Sequence, residues 1–180
     1  MEGVTLLFVG AISGRKGVKQ LMQALQRCDA KLNTPCTVVM AGSGALQEEA
    51  EETAKHLNHI KLIFPGFQDQ QGIQKLFASS DVFVLPTLDD NWPLVTIEAI
   101  VSGLPQIGSI YNGASEDLAK KEEIGMFVDP HNKDKLTEVL YDHFINPPAR
   151  LTNKTVDWAK DFYSPKQQAQ RAVALIEKIS

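Results

Sequence analysis

Residues 81–109 read DVFVLPTLDDNWPLVTIEAIVSGLPQIGS, and this stretch decides the fold. Val82 to Leu85 form a short apolar run of the kind that fills a strand buried on both faces of a parallel sheet. The polar loop after them runs to Pro93, which fits the first turn of a helix because its missing N–H costs nothing there. Leu94, Val95, Ile97, Ala99, Ile100 and Val101 then cover nearly every direction around a helix over 93–102, which predicts a buried helix. After Gly103, 104–107 reads as the next strand. A strand, a helix and a second strand in close succession make a βαβ unit.

The same alternation extends outward in both directions. Apolar runs at 4–9, 37–41, 61–64, 82–85, 104–107 and 126–128 predict strands, and helical patterns at 18–29, 46–57, 71–78, 93–102, 116–119 and 133–145 lie between or after them. Alternation of this kind predicts an α/β fold, a Rossmann-like doubly wound parallel sheet of about six strands with helices on both faces. After NPPARL two helical segments follow, 152–162 and 165–179, with Ser164 as N-cap before Pro165. Residues 1–180 are expected to form one domain in which 150–180 are terminal helices.

Bulk properties exclude several classes. With 43% hydrophobic and 22% charged residues, the chain has an ordinary globular composition, and a net charge of -4 gives no reason to expect nucleic acid as a partner. Cys28 and Cys36 are too few for a disulfide framework, which favours a reducing, cytoplasmic compartment. The four histidines form no metal-ligand pattern, and no window approaches the length of a membrane span.

In open α/β sheets ligands bind beyond the carboxyl ends of the strands, so the loops there carry the chemistry. GAISGRKG, after the first strand, offers Gly10 and Gly14 for tight turns, with Arg15 and Lys16 near a helix N-terminus that favours anions. It suits a phosphate or pyrophosphate, although a plain glycine turn with two solvated cations reads the same way. AGSGALQ repeats the theme at Gly42, where Ser43 can serve as a cap. In LDDNWPLVTIE the amides of Leu94, Val95 and their neighbours are free to receive phosphate oxygens, with Asp90 just ahead of them and Glu98 further along the helix. Glu98 is expected out of bulk water, held for a ribose diol, since a carboxylate accepts both hydroxyl hydrogens in charge-assisted bonds. Pairing of Glu98 with a core donor, or Asp90 as a solvated turn residue, are the alternatives.

At this point the residues resemble a known family. DNWPLVTIEAIVSGLP, from Asp90 to Pro105, is similar to the pattern of the group-one glycosyltransferases, E-x7-E followed by A-x-x-x-G-x-P. FVGAISGRKGVKQLMQAL, VVMAGSG, LFASSDVFVLPT and GMFVDPHNKDKL resemble further segments of that family in the same order, so the resemblance covers essentially the whole chain. It implies the C-terminal, donor-binding half of a GT-B fold whose N-terminal acceptor domain is missing here. The residue carry-over places Lys16 on the donor diphosphate, Asp90 at the sugar in place of the first Glu, Glu98 on the ribose, Asn91, Trp92, Pro93, Leu94 and Val95 around sugar and phosphate, and Phe67 near the base. Lys16 and Asp90 are the expected catalytic residues.

The resemblance further implies a retaining transfer from a UDP- or GDP-linked sugar to a glycan or lipid-linked acceptor. No metal or other cofactor is expected, and the whole protein would be at most peripheral at the inner face of a membrane. Two positions depart from the pattern: Ala11 stands where the family usually has Arg, and Asp90 is one methylene shorter than Glu. A degenerate domain acting as a binding or scaffold module, or an epimerase-like enzyme of the same fold, therefore stays open.

Overall fold

The computed structural model describes residues 3–170, apart from the side chain of Glu122. Strands and helices alternate: β1 (Thr5–Val9), α1 (Val18–Asp29), β2 (Cys36–Ala41), α2 (Gln47–Ala54), β3 (Ile60–Gly66), α3 (Gln70–Ser79), β4 (Val82–Leu85), α4 (Leu94–Val101), β5 (Gln106–Ser109), α5 (Ser115–Ala119), β6 (Gly125–Val128), α6 (Lys133–Ile145) and α7 (Asn153–Phe162). A turn of 3-10 helix, Glu122–Ile124, precedes β6. The strands form one parallel sheet of six in the order β3-β2-β1-β4-β5-β6. The order reverses between β1 and β4, so the crevice for a ligand lies beyond the carboxyl ends of those two strands.

The apolar runs do what their composition demands. Leu6, Leu7 and Phe8 of β1 and all four residues of β4 are buried, because both strands are central and covered on both faces. Helix α1 places Val18, Leu21, Met22, Leu25 and Cys28 on one stripe and packs beside α6. At its end Asp29 accepts the backbone N–H groups of Asn58, His59 and Ile60 at 2.9, 2.7 and 2.8 Å, tying α1 to the start of β3.

Three expectations need correction. Leu104 and Pro105 precede β5 rather than begin it. Gly103, at φ 79°, donates to the Ile100 carbonyl and Leu104 donates to that of Ala99, a Schellman closure of α4 that uses both amides before the strand can start. Ser43 is no cap: α2 begins at Gln47, and no side chain caps Leu46, the residue before it. Helix α4 is not buried all round. Ala99 and Ile100 are enclosed, and Ile97 and Val101 pack toward Val156 and Trp158 of α7, but Leu94 is 69% exposed and Glu98, one turn further on the same face, is exposed too.

The segment 165–170 is helical, and Ser164 caps it through a hydrogen bond from the Gln167 amide to its hydroxyl (3.3 Å). The remainder of the predicted 165–179 helix lies outside the described residues. Among those described, no helix is long and apolar enough to cross a membrane.

Candidate active site

The loops after β1 and β4 meet over the reversal point of the sheet, and they are stitched together. The Arg15 carbonyl accepts the Leu88 amide (2.8 Å) and the Thr87 hydroxyl (3.1 Å), while the Arg15 guanidinium donates to the Asp89 carbonyl (3.1 Å). Gly17 turns the chain with φ 72°, and a Cβ there would stand 1.7 Å from the Pro86 carbonyl oxygen. Only glycine allows two loop backbones to pass this closely.

The two expected catalytic residues come together across this seam. Lys16, from the β1–α1 loop, donates to the Asp90 carboxylate in the β4–α4 loop, and each side chain is only 13% exposed. Asp90 therefore has a protein partner, and neither a solvated turn nor a carboxylate without a cation describes it. Its backbone is fixed as well. The Asp90 amide donates to the Tyr111 carbonyl (3.3 Å), and its carbonyl accepts from Gly113 (2.9 Å), in a parallel bridge to the loop after β5.

Pro93 sits one position earlier than expected, at the N-cap, with ψ 105°. The amides of Leu94 and Val95 are the first of α4, and no side chain caps them, so the helix presents free N–H donors and the positive end of its dipole four residues after Asp90. Behind them lies a buried polar network. Gln106 donates to the Thr96 carbonyl (2.8 Å), Asn112 donates to the Thr96 hydroxyl (3.3 Å), and the Asn112 side-chain oxygen accepts the Ala114 amide (2.9 Å). Sequence reasoning did not single out this loop after β5. The Asn-Gly step at 112–113 was its one signal, and a Cβ on Gly113 would lie 1.9 Å from the Asn91 carbonyl oxygen.

Glu98 faces a groove of about 320 Å³ between α3 and α4, lined by Gln70, Ile73, Gln74, Phe77, Val101 and Ser102. Its placement in water rather than in the core reverses the reason given for its role, because the sheet and α7 absorb the apolar directions of α4 and leave the Leu94–Glu98 face open. A second cavity, about 340 Å³, is framed by Gly10, Ala11, Gly42, Ser43, Phe67 and Gln68, with Ile73 lining both. A Cβ on Gly42 would lie 2.0 Å from the Gly10 carbonyl oxygen, and the Ile12 amide donates to Ser43 (3.0 Å), so the β1 and β2 loops form one floor. Phe67 stands 86% exposed at the rim, and Trp92 packs against Tyr163 at 5.9 Å. Gly14 is exposed with nothing within 4 Å of a Cβ position, so the chain itself does not require glycine there. Asn91 and Arg15 are exposed at the same mouth. Among the described residues no group of three or more His, Cys, Asp or Glu converges as metal ligands would.

Comparison with known proteins bears on this arrangement. A family model described as glycosyl transferases group 1 matches residues 1–159. An uncharacterized glycosyltransferase of Methanocaldococcus jannaschii is 34% identical over 136 residues, 73% of this chain and 33% of that protein. A Campylobacter jejuni protein named as an N-acetyl-D-galactosaminyltransferase acting on a PP-undecaprenol-linked GalNAc glycan is 29% identical over 87% of this chain and 44% of its own length. The solved structure of the lipopolysaccharide outer core galactosyltransferase WaaB, in its apo form, superposes with a TM-score of 0.78 at 20% identity, covering 98% of this chain and 50% of that one. The chain thus spans a third to a half of the length of these proteins.

Proposed function

The chain belongs to the glycosyl transferases of group 1, and from that premise we propose that it is the donor-binding half of a retaining, metal-independent enzyme that transfers a sugar from a nucleoside diphosphate to a glycan or lipid-linked acceptor. The observation that carries this reading is the convergence of Lys16, Asp90 and the α4 amides at the reversal point of the sheet.

In this reading the diphosphate lies against Lys16 and the Leu94–Val95 amides, with Gly10, Gly14 and Arg15 bordering it. Asp90, Asn91 and Trp92 face the sugar, and Pro93, buried at the N-cap of α4, fixes the turn behind them. Glu98 accepts the ribose hydroxyls in its groove, and the base enters the cavity over Gly42 beside Phe67. Catalysis here consists of charge stabilisation on the departing diphosphate and orientation of the donor. The acceptor side is supplied by a separate N-terminal domain, which covers the apolar residues Phe67, Trp92, Ile110 and Tyr111 exposed in the loops after β3, β4 and β5, and Leu94 at the start of α4. The isolated chain binds donor and does not turn it over.

Calorimetric titration with UDP, GDP, ADP and their hexose conjugates tests the proposal. Saturable binding of at least one base is expected, weakened roughly tenfold or more by Lys16→Ala and by Glu98→Gln, since each removes a charge-assisted contact. A second reading draws support from exposed Ala11, in the place of a family arginine, and from the lysine already neutralised by Asp90: a degenerate domain kept for protein contacts. Absence of binding at millimolar ligand decides for that reading.

A further inference from the structure

The Lys16–Asp90 pair has a consequence for which ligand the site prefers. The two side chains are mostly shielded from water, so their charges are poorly screened. Neither backbone can retreat. Asp90 is held by Tyr111 on one side and Gly113 on the other, Asn91 leaves no room for a Cβ on Gly113, and the Lys16 loop is locked by the Arg15 carbonyl bonds and by Gly17 against Pro86. A carboxylate on so short a side chain stays beside the lysine and beside the N-terminus of α4. The other charged groups around the mouth are Arg15, which is turned to the Asp89 carbonyl, Asp89 itself, Glu98 one turn along α4, and Asp129 and His131 near Tyr111.

We propose that Asp90 is a resident counterion of Lys16 that biases the site toward the diphosphate diester of a sugar nucleotide and against the diphosphate monoester left after transfer. This rests on the reading that the diphosphate lies between Lys16 and the α4 amides. In the transfer the bond between the anomeric carbon and the β-phosphate oxygen breaks, and its electron pair stays on that oxygen. The anomeric carbon forms a new bond to the acceptor hydroxyl oxygen, whose proton passes to the departing phosphate oxygen and from there to water. The donor carries two negative charges on its diphosphate. The product gains a third near neutrality, because a terminal phosphate loses its last proton with a pKa of about 6. A fixed carboxylate next to Lys16 repels that added charge and favours release, a step that limits turnover in many enzymes.

The test is calorimetric titration of the chain with three probes sharing the base that binds best: the nucleoside diphosphate, its β-methyl ester and its glucose conjugate. The methyl ester has the charge of the donor without its sugar, so it separates the charge effect from sugar contacts. Asp90→Asn is expected to tighten the free diphosphate by on the order of tenfold more than the methyl ester, given unit charges a few ångströms apart in a partly shielded site. Asp90→Glu, which keeps the charge, preserves the wild-type ratio. Asp90→Ser serves as the neutral variant if Asp90→Asn does not melt cooperatively. An unchanged ratio in the neutral variant, or equal tightening of both probes, overturns the counterion proposal alone. Failure of the wild-type chain to bind any of the three removes the donor-binding reading and this inference with it.

Discussion

A methyl group on Gly17 would lie 1.7 Å from the Pro86 carbonyl oxygen, and the residue's φ of 72° is one that L side chains avoid. Gly17→Ala is therefore expected to destabilise the chain by roughly 3 kcal/mol, part from the left-handed backbone and part from displaced loop contacts, measured as a lower urea midpoint. It should also weaken nucleotide binding, because Lys16 is the adjacent residue. Other single residues are governed by burial. Cys28 is enclosed, and desolvation pushes its thiol pKa up to about 12 despite the opposing charge of Lys31, so it behaves as a core side chain. Glu98 shows the limit of reading residues singly. Its apolar neighbours along the chain place it in a core, whereas in space it is exposed on a groove walled by Gln70, Gln74, Ile73 and Phe77.

Among the elements, the carboxyl ends of α3 and α4 are joined by one side chain from the segment after α6. Arg150 donates to the carbonyls of Ser80 (2.9 Å), Phe77 (3.2 Å) and Ser102 (2.8 Å), where the helix dipoles favour a cation. Arg150→Met keeps the length and removes the donors, and a loss on the order of 2 kcal/mol is expected from chemical denaturation, discounted for the exposure of the arginine. Because α3 and α4 form the walls of the Glu98 groove, the same variant should bind nucleotide less tightly without touching it. The helices α1 and α6 were legible in the sequence to the residue, since their apolar stripes and ends coincide. The start of β5 was not, because the amides of Gly103 and Leu104 are taken by the closure of α4, a hydrogen-bond competition that hydrophobicity does not report.

For the whole molecule, two buried groups set the response to acid. Burial pushes the pKa of His143 below its usual 6.5, although the Val139 carbonyl and Asp142 pull the other way. The folded state then takes up this proton less readily than the unfolded state, so stability falls as pH drops through about 6.5. Burial alone would raise Asp29, but three backbone N–H donors outweigh it and hold the carboxyl below its usual 3.8. Its contribution is complete above that value and is lost as pH falls through the lower folded-state value. Urea unfolding is expected to show two losses in sequence, one that sets in as pH falls below about 6.5 and one that sets in below about 4. His143→Gln should flatten the first and leave the second.

The order of strands and helices, the α/β class and the identity of the loops that carry charge and glycine were determined by the sequence alone, because apolar periodicity and turn residues act over a few positions. Local pattern could place Lys16 and Asp90 in loops at the strand ends. That they touch was decided only by the tertiary structure, since the sheet order sets β1 beside β4 and brings together residues 74 apart in sequence. The exposure of Glu98 was likewise decided there, by which sides of α4 the sheet and α7 happen to cover. Burial depends on neighbours drawn from distant parts of the chain, and a helix carries no local record of which of its apolar faces will find one.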